Sequence, residues 1–129
     1  MTAPTLYPLA DHTTQWFETQ WPGTTMPHPN TFLLHSTEGG DWPDYNIDGA
    51  GHGSGAPTFT YNPAERKFRQ HFPVNKSARG LVHTGDPATN TLNVVQIEII
   101  GTCDPSLHGK DSGLCYMPDA PDSLIEDIA

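Results

Sequence analysis

Asn90-Thr-Leu-Asn-Val-Val-Gln-Ile-Glu-Ile-Ile-Gly101 restricts most what this chain can fold into. The run is almost continuously apolar and rich in β-branched residues. That pattern predicts a strand over Leu92–Ile100, central in a sheet and buried on both faces. Glu98 is the one carboxylate inside it, and an unpaired carboxylate in such a place is costly. Its position therefore needs a partner or a purpose.

Further strands are expected around this one. Asn30–His35 reads as a short buried strand that ends in an imidazole, followed by Ser36, Thr37, Glu38 and two glycines. Pro57–Asn62 alternates as Thr58, Phe59, Thr60, Tyr61, and Lys67–Phe72 returns after the turn Asn62-Pro-Ala-Glu65, so a hairpin is predicted. Asn75 is placed to cap a short helix over Lys76–Val82, and His83–Thr89 reads as a loop. Pro121 opens a last helix, with acids in its first turn and Leu124, Ile125 and Ile128 as its apolar face. The expected fold class is α/β, a mixed central β-sheet flanked by helices. Residues 1–29, broken by Pro4, Pro8, Pro22, Pro27 and Pro29, form an irregular N-terminal arm with room for one short helix within Asp11–Gln20, and Trp16 and Trp21 pack beneath it. Residues 30–129 form the domain. Glu38–Gly55 is a long Gly- and Asp-rich loop whose large side chains are Trp42 and Tyr45; loops of this length in small domains are usually functional or disordered.

Composition removes whole classes of function. With 6 basic and 15 acidic residues the formal charge is −9, which argues against a general nucleic-acid binder. No run approaches the roughly 18 apolar residues of a membrane span, and the start of the chain lacks a basic-then-apolar leader. Five of the basic residues, Arg66, Lys67, Arg69, Lys76 and Arg79, fall in one stretch; they are either a solvated face or a basic rim toward an anionic substrate such as a cell-wall polymer. Cys103 and Cys115 flank a polar loop, and free thiols are favoured over a bridge.

The chemistry centres on His35 and Glu98. A histidine at a strand exit is a natural first ligand for a catalytic zinc, which takes three protein ligands and keeps one position open. The alternative is a hydrogen-bonded strand-end histidine. Glu98 suits a general base whose pKa is raised by burial; the alternative is a carboxylate that reaches solvent or pairs with Arg79. His52, His71, His83, Asp86 and Asp104 are the remaining candidate ligands, and no HxH or HxxxH pair closes a site locally. No Gly-x-Ser-x-Gly elbow is present, and neither Ser36 nor Cys103 has a partner fixed by spacing.

Several segments in order carry a family resemblance: Phe32-Leu-Leu-His-Ser-Thr-Glu-Gly-Gly40, Trp42-Pro-Asp-Tyr45, Ala56-Pro-Thr-Phe-Thr60, Arg69-Gln-His-Phe-Pro73, Ser77-Ala-Arg-Gly-Leu81, Thr89 through Asp104, and Pro118-Asp-Ala-Pro-Asp122. Together, over residues 30 to 129, they resemble the type-2 N-acetylmuramoyl-L-alanine amidases of the peptidoglycan-recognition-like fold, and among those the amidase domains of endolysins from phages of actinobacteria. The resemblance implies a zinc hydrolase that cuts the amide between the muramic lactyl group and L-alanine of peptidoglycan. It implies His35 as a Zn2+ ligand and Glu98 as the catalytic glutamate, with Thr37 and Tyr45 lining the substrate cleft. The family continues past the helix near Pro121 to a second histidine and an aspartate ligand. The expectation is thus a C-terminally truncated amidase domain holding one ligand of three, completed by a second chain or segment, or else a non-catalytic peptidoglycan-binding or phage structural module. A phage lysin of this kind stays in the host cytoplasm until released to the wall, or travels with the virion.

Overall fold

A computed structural model describes residues 6–12, 24–43, 45, 55–78, 80, 93–107 and 115–129. Four strands form one mixed sheet: β1 (Thr31–Ser36), β2 (Phe59–Asn62), β3 (Lys67–Gln70) and β4 (Val94–Ile99), in the order β1-β4-β2-β3. β4 pairs in parallel with both β1 and β2, and β3 returns antiparallel to β2. Among the described residues one helix, α1 (Asp122–Ile128), follows two single 3-10 turns. Over the described residues the arrangement is α/β with a small helical share.

β4 sits at the centre with all six residues buried, as its β-branched run predicts. The hairpin forms because Asn62 Oδ1 accepts the amides of Ala64 and Glu65 at 3.0 and 3.3 Å, folding the chain around Pro63. Arg66 then takes a left-handed φ of 53° to re-enter as β3. Asp11 extends the far edge through a backbone bridge to Arg69.

The two faces of the sheet differ in chemistry. Val95, Ile97 and Ile99 point to one side with Phe59 and Tyr61, and α1 covers them with Leu124. Pleating sends the alternate positions the other way. There Thr58, Thr60, Gln96 and Glu98 form a buried polar layer, roofed by a smaller apolar cluster of Tyr45, Ala56, Phe72 and Ala78.

Three expectations are corrected. β1 is an edge strand, and Phe32 and Leu34 are 68% and 51% exposed, because strand order rather than local hydrophobicity decides which strand is covered. Lys76–Ala78 is not helical: Lys76 pairs with Thr25, and Ser77 N donates to Thr24 O at 2.8 Å, so a tertiary contact overrides the capping pattern. Gly80 is not helical either and donates its amide to Gln96 Oε1 at 2.8 Å; Arg79, Leu81 and Val82 lie outside the described residues, as do Trp16, Trp21 and the arm between them. In α1, Leu124 and Ile128 turn inward one helical turn apart, while Ile125 is 62% exposed. Among the described residues no helix is long and apolar enough to cross a membrane. Cys103 and Cys115 are free thiols.

Candidate functional site

The polar face is assembled by register. His35 lies opposite Glu98 across β1 and β4, and Glu98 lies opposite Thr60 across β4 and β2. Thr60 in turn faces Arg69 across the hairpin. One row of partners thus crosses all four strands, with its side chains on one face.

Within this row His35 Nδ1 sits 3.3 Å from Glu98 Oε1. Burial lowers the His35 pKa and raises that of Glu98, so the fold disfavours the charged form of each. The contact is therefore a close polar approach between two groups whose charged forms burial opposes.

Tyr45 enters from the loop after β1. Its hydroxyl donates a hydrogen bond to Glu98 Oε2 and lies 2.9 Å from Thr60 Oγ1. Thr60 Oγ1 is also 2.9 Å from His71 Nε2, and the His71 and Tyr45 rings meet edge to face at 5.1 Å. Each hydroxyl has one proton, which fixes the direction of the chain. Tyr45 gives its proton to Glu98, Thr60 gives its proton to Tyr45, and His71 must donate from Nε2 to Thr60. Burial and the adjacent Glu98 push the Tyr45 pKa far up, so the phenol keeps its proton. The Tyr45 hydrogen bond works against burial on Glu98 and favours its carboxylate.

The other end of the imidazole is left open. In the tautomer that carries its proton on Nδ1, beside Glu98, His35 Nε2 carries a lone pair. That atom is buried and has no hydrogen-bond partner among the described residues. A buried polar atom without a partner calls for an explanation. An imidazole whose second nitrogen is held by a carboxylate is the arrangement that metal-ligating histidines use. His35 therefore fits one coordination position. Among the described residues, no group of three or more His, Cys, Asp and Glu side chains is placed to hold a metal ion.

The other candidates separate clearly. Thr37 stands apart from the Glu98 network: its hydroxyl is engaged with Gly39 O and N at 3.2 and 3.3 Å and accepts Gly101 N at 3.4 Å. His71 is fixed in the hydrogen-bond chain through Nε2. Asp104 is a turn residue whose carboxylate accepts Ser106 N at 2.8 Å, which holds its pKa below the usual range. His52, His83, Asp86 and Arg79 lie outside the described residues.

Two neighbouring features serve structure. Glu38, at a left-handed φ of 55°, accepts hydrogen bonds from Ser36, from Thr102 at 2.7 Å and from the Cys103 amide at 3.1 Å. It ties the exits of β1 and β4 together. A cavity of about 350 Å³ opens on the opposite, apolar face, lined by Phe32, Phe59, Phe68, Ile97 and Ile128. It holds no acid–base pair: its one carboxylate, Asp127, is bound by Arg66 and Tyr61. The chemistry belongs to the polar face.

Sequence reasoning reached His35, Glu98 and Tyr45, and the structure brings these three into contact. It missed Thr60 and the role of His71. The alternation of Thr58 and Thr60 against Phe59 and Tyr61 was the available signal, since it puts two hydroxyls on the face opposite the core. Comparison with protein-family models, with curated proteins and with solved structures gave no match in any of the three.

Proposed function

We propose that this chain is a zinc-dependent peptidoglycan amidase domain of the endolysin type, acting on the amide between N-acetylmuramic acid and L-alanine. One observation carries the reading: His35 and Glu98 are register partners with Nδ1 3.3 Å from Oε1, and His35 Nε2 is buried and without a hydrogen-bond partner among the described residues. These are the two residues that the family resemblance implies for metal and base.

The chain's own groups would act as follows. Glu98, as carboxylate, takes a proton from the water that attacks the amide carbonyl. A C–O bond forms, the C–N bond breaks, and Glu98 returns the proton to the leaving alanine nitrogen. Tyr45 holds the carboxylate in place by its hydroxyl throughout. His35 Nε2 supplies one ligand to zinc, which when bound polarises the carbonyl and acidifies water. Two more ligands are required, and in this reading they come from residues beyond those described or from a second chain.

A non-catalytic wall-binding module is the second reading, favoured by the single ligand among the described residues. The two are separated by incubating purified cell walls with the chain and zinc and measuring newly exposed alanine amines. The amidase reading expects release by the wild type, loss in Glu98→Gln with wall binding retained, and about one zinc per chain that disappears in His35→Ala. Wall binding with no amine release would leave the binding module. Undiminished release by Glu98→Gln would remove Glu98 from the chemistry.

A further inference from the structure

The structure sorts the basic stretch that the sequence leaves ambiguous. Arg66 is bound to Asp127 through two contacts at 2.8 and 2.6 Å. Lys76 Nζ donates to Thr25 Oγ1 at 2.8 Å. Lys67 is exposed, and Arg79 lies outside the described residues. Arg69 differs from all of these. It is half-buried, its guanidinium carbon lies 4.0 Å from the centroid of the Trp42 ring, and that ring is its one side-chain partner among the described residues. In a chain with 15 acidic residues, a half-buried guanidinium with no carboxylate on it among the described residues is an available cation.

Its position gives that cation a use. Arg69 faces Thr60 and Thr60 faces Glu98, so Arg69 belongs to the same row and the same face as the candidate site. Two strand spacings put its Cα about 10 Å from that of Glu98. An extended peptide advances about 3.4 Å per residue. A ligand whose reacting amide lies at Glu98 would therefore reach Arg69 with the acidic side chain of its second residue, or with its third. Trp42 restricts the guanidinium by cation–π contact and leaves the planar fork free for paired hydrogen bonds. Trp42 and Tyr45 come from one loop, so the loop that holds Glu98 in place also holds this cation.

We propose that Arg69, held over Trp42, is a carboxylate-binding subsite at the far end of the Glu98 row, taking an acidic group on the peptide arm of the ligand. This rests on the amidase reading of that row. The subsite selects ligands by charge: an acidic second residue is bound, and its amidated counterpart loses the contact.

The test uses N-acetylmuramoyl-L-alanyl-D-glutamate and its diamide, titrated by calorimetry into the full chain carrying Glu98→Gln, so that the ligand is not consumed. The acid is expected to bind about tenfold more tightly than the diamide, the scale of one charge-assisted hydrogen-bonded contact. Adding Arg69→Gln should erase that difference and leave diamide affinity unchanged, while Arg69→Lys should keep part of it. Trp42→Leu, which leaves the guanidinium in place, should weaken the acid alone. Equal binding of acid and diamide before Arg69 is changed, or a preference that survives Arg69→Gln, overturns the subsite and leaves the amidase reading standing. Loss of diamide affinity in Arg69→Gln also overturns it, since that would mark a structural role. Binding of neither ligand by the Glu98→Gln chain removes the cell-wall reading and the subsite together.

Discussion

Glu98 is under opposed influences. Burial favours its protonated form, and the Tyr45 hydroxyl favours the carboxylate. The fold thus stabilises neutral Glu98 relative to the unfolded chain, so its charged form is a liability that grows as pH rises above the ordinary carboxylate range. Replacement by neutral, isosteric Gln should raise the melting temperature at neutral pH. Roughly 1 kcal/mol is the usual scale of such stability–activity trade-offs. The gain should shrink as pH falls and wild-type Glu98 takes up its proton, and melting curves taken from neutral pH into acid would show it. A constant gain at all pH values would mean that packing, not charge, is responsible. Tyr45→Phe acts in the other direction. It removes the one contact that holds the Glu98 pKa down, so under the proposed amidase function the acid limb of the kcat/KM profile should move to higher pH, with about a tenfold loss at neutral pH. Thr60→Val should do the same more weakly, since Tyr45 would still donate to Glu98 and lose only its own donor. At this scale the sequence exposes chemical identity and conceals connectivity. His35 and Glu98 stand out as polar residues in apolar runs. The Tyr45–Thr60–His71 chain joins a loop and two strands at separations that no local pattern encodes.

At the scale of elements, α1 is the weakest piece. Seven residues do not sustain a helix in water. Leu124 anchors it by burial, and Asp127 by the bidentate pair with Arg66 and the hydrogen bond from Tyr61. Arg66 and Tyr61 hold the Asp127 pKa down to about 2. A lowered carboxylate pKa gives stability that is present above the ordinary value near 3.8 and is lost as pH falls through about 2. Asp127→Asn should therefore loosen α1 at neutral pH, seen as faster amide exchange in residues 122–128 with β4 unchanged, and the difference from wild type should vanish in strong acid. Equal acceleration in β4 would mean that α1 and the sheet open as one unit. A second element-level contact is the exit of β4. A Cβ on Gly101 would stand 2.4 Å from the Cys115 carbonyl oxygen, so Gly101→Ala must displace backbone and should cost about 2 kcal/mol in denaturant unfolding. Here the sequence was informative wherever the determinant is local. β4 and the hairpin follow from β-branched runs and an Asn-Pro turn. The edge position of β1 and the loss of the helix at Lys76 depend on which distant segments pair, and Thr25 is 51 residues away from Lys76.

For the whole molecule, charge and site oppose each other. The formal charge of −9 produces a negative field around the chain, while the proposed subsite presents a single guanidinium. The two act over different ranges. At about 0.01 M salt the screening length is about 30 Å, and an anionic wall polymer meets the net charge before it meets Arg69; near 0.1 M the length falls to about 10 Å and the long-range repulsion is largely removed. A hydrogen-bonded contact on a half-buried, indole-stacked guanidinium is screened much less. Association with purified anionic cell walls should therefore strengthen between these two salt concentrations, the opposite of a protein that binds through a basic surface. Arg69→Gln should lower binding at both concentrations and keep the upward trend, because the trend belongs to the net charge. Pelleting assays against salt, with wild type and Arg69→Gln side by side, read both quantities at once. Weakening of wild-type binding as salt rises would place attraction at a basic surface in control, and the exposed Lys67 would then replace Arg69 as the residue to examine.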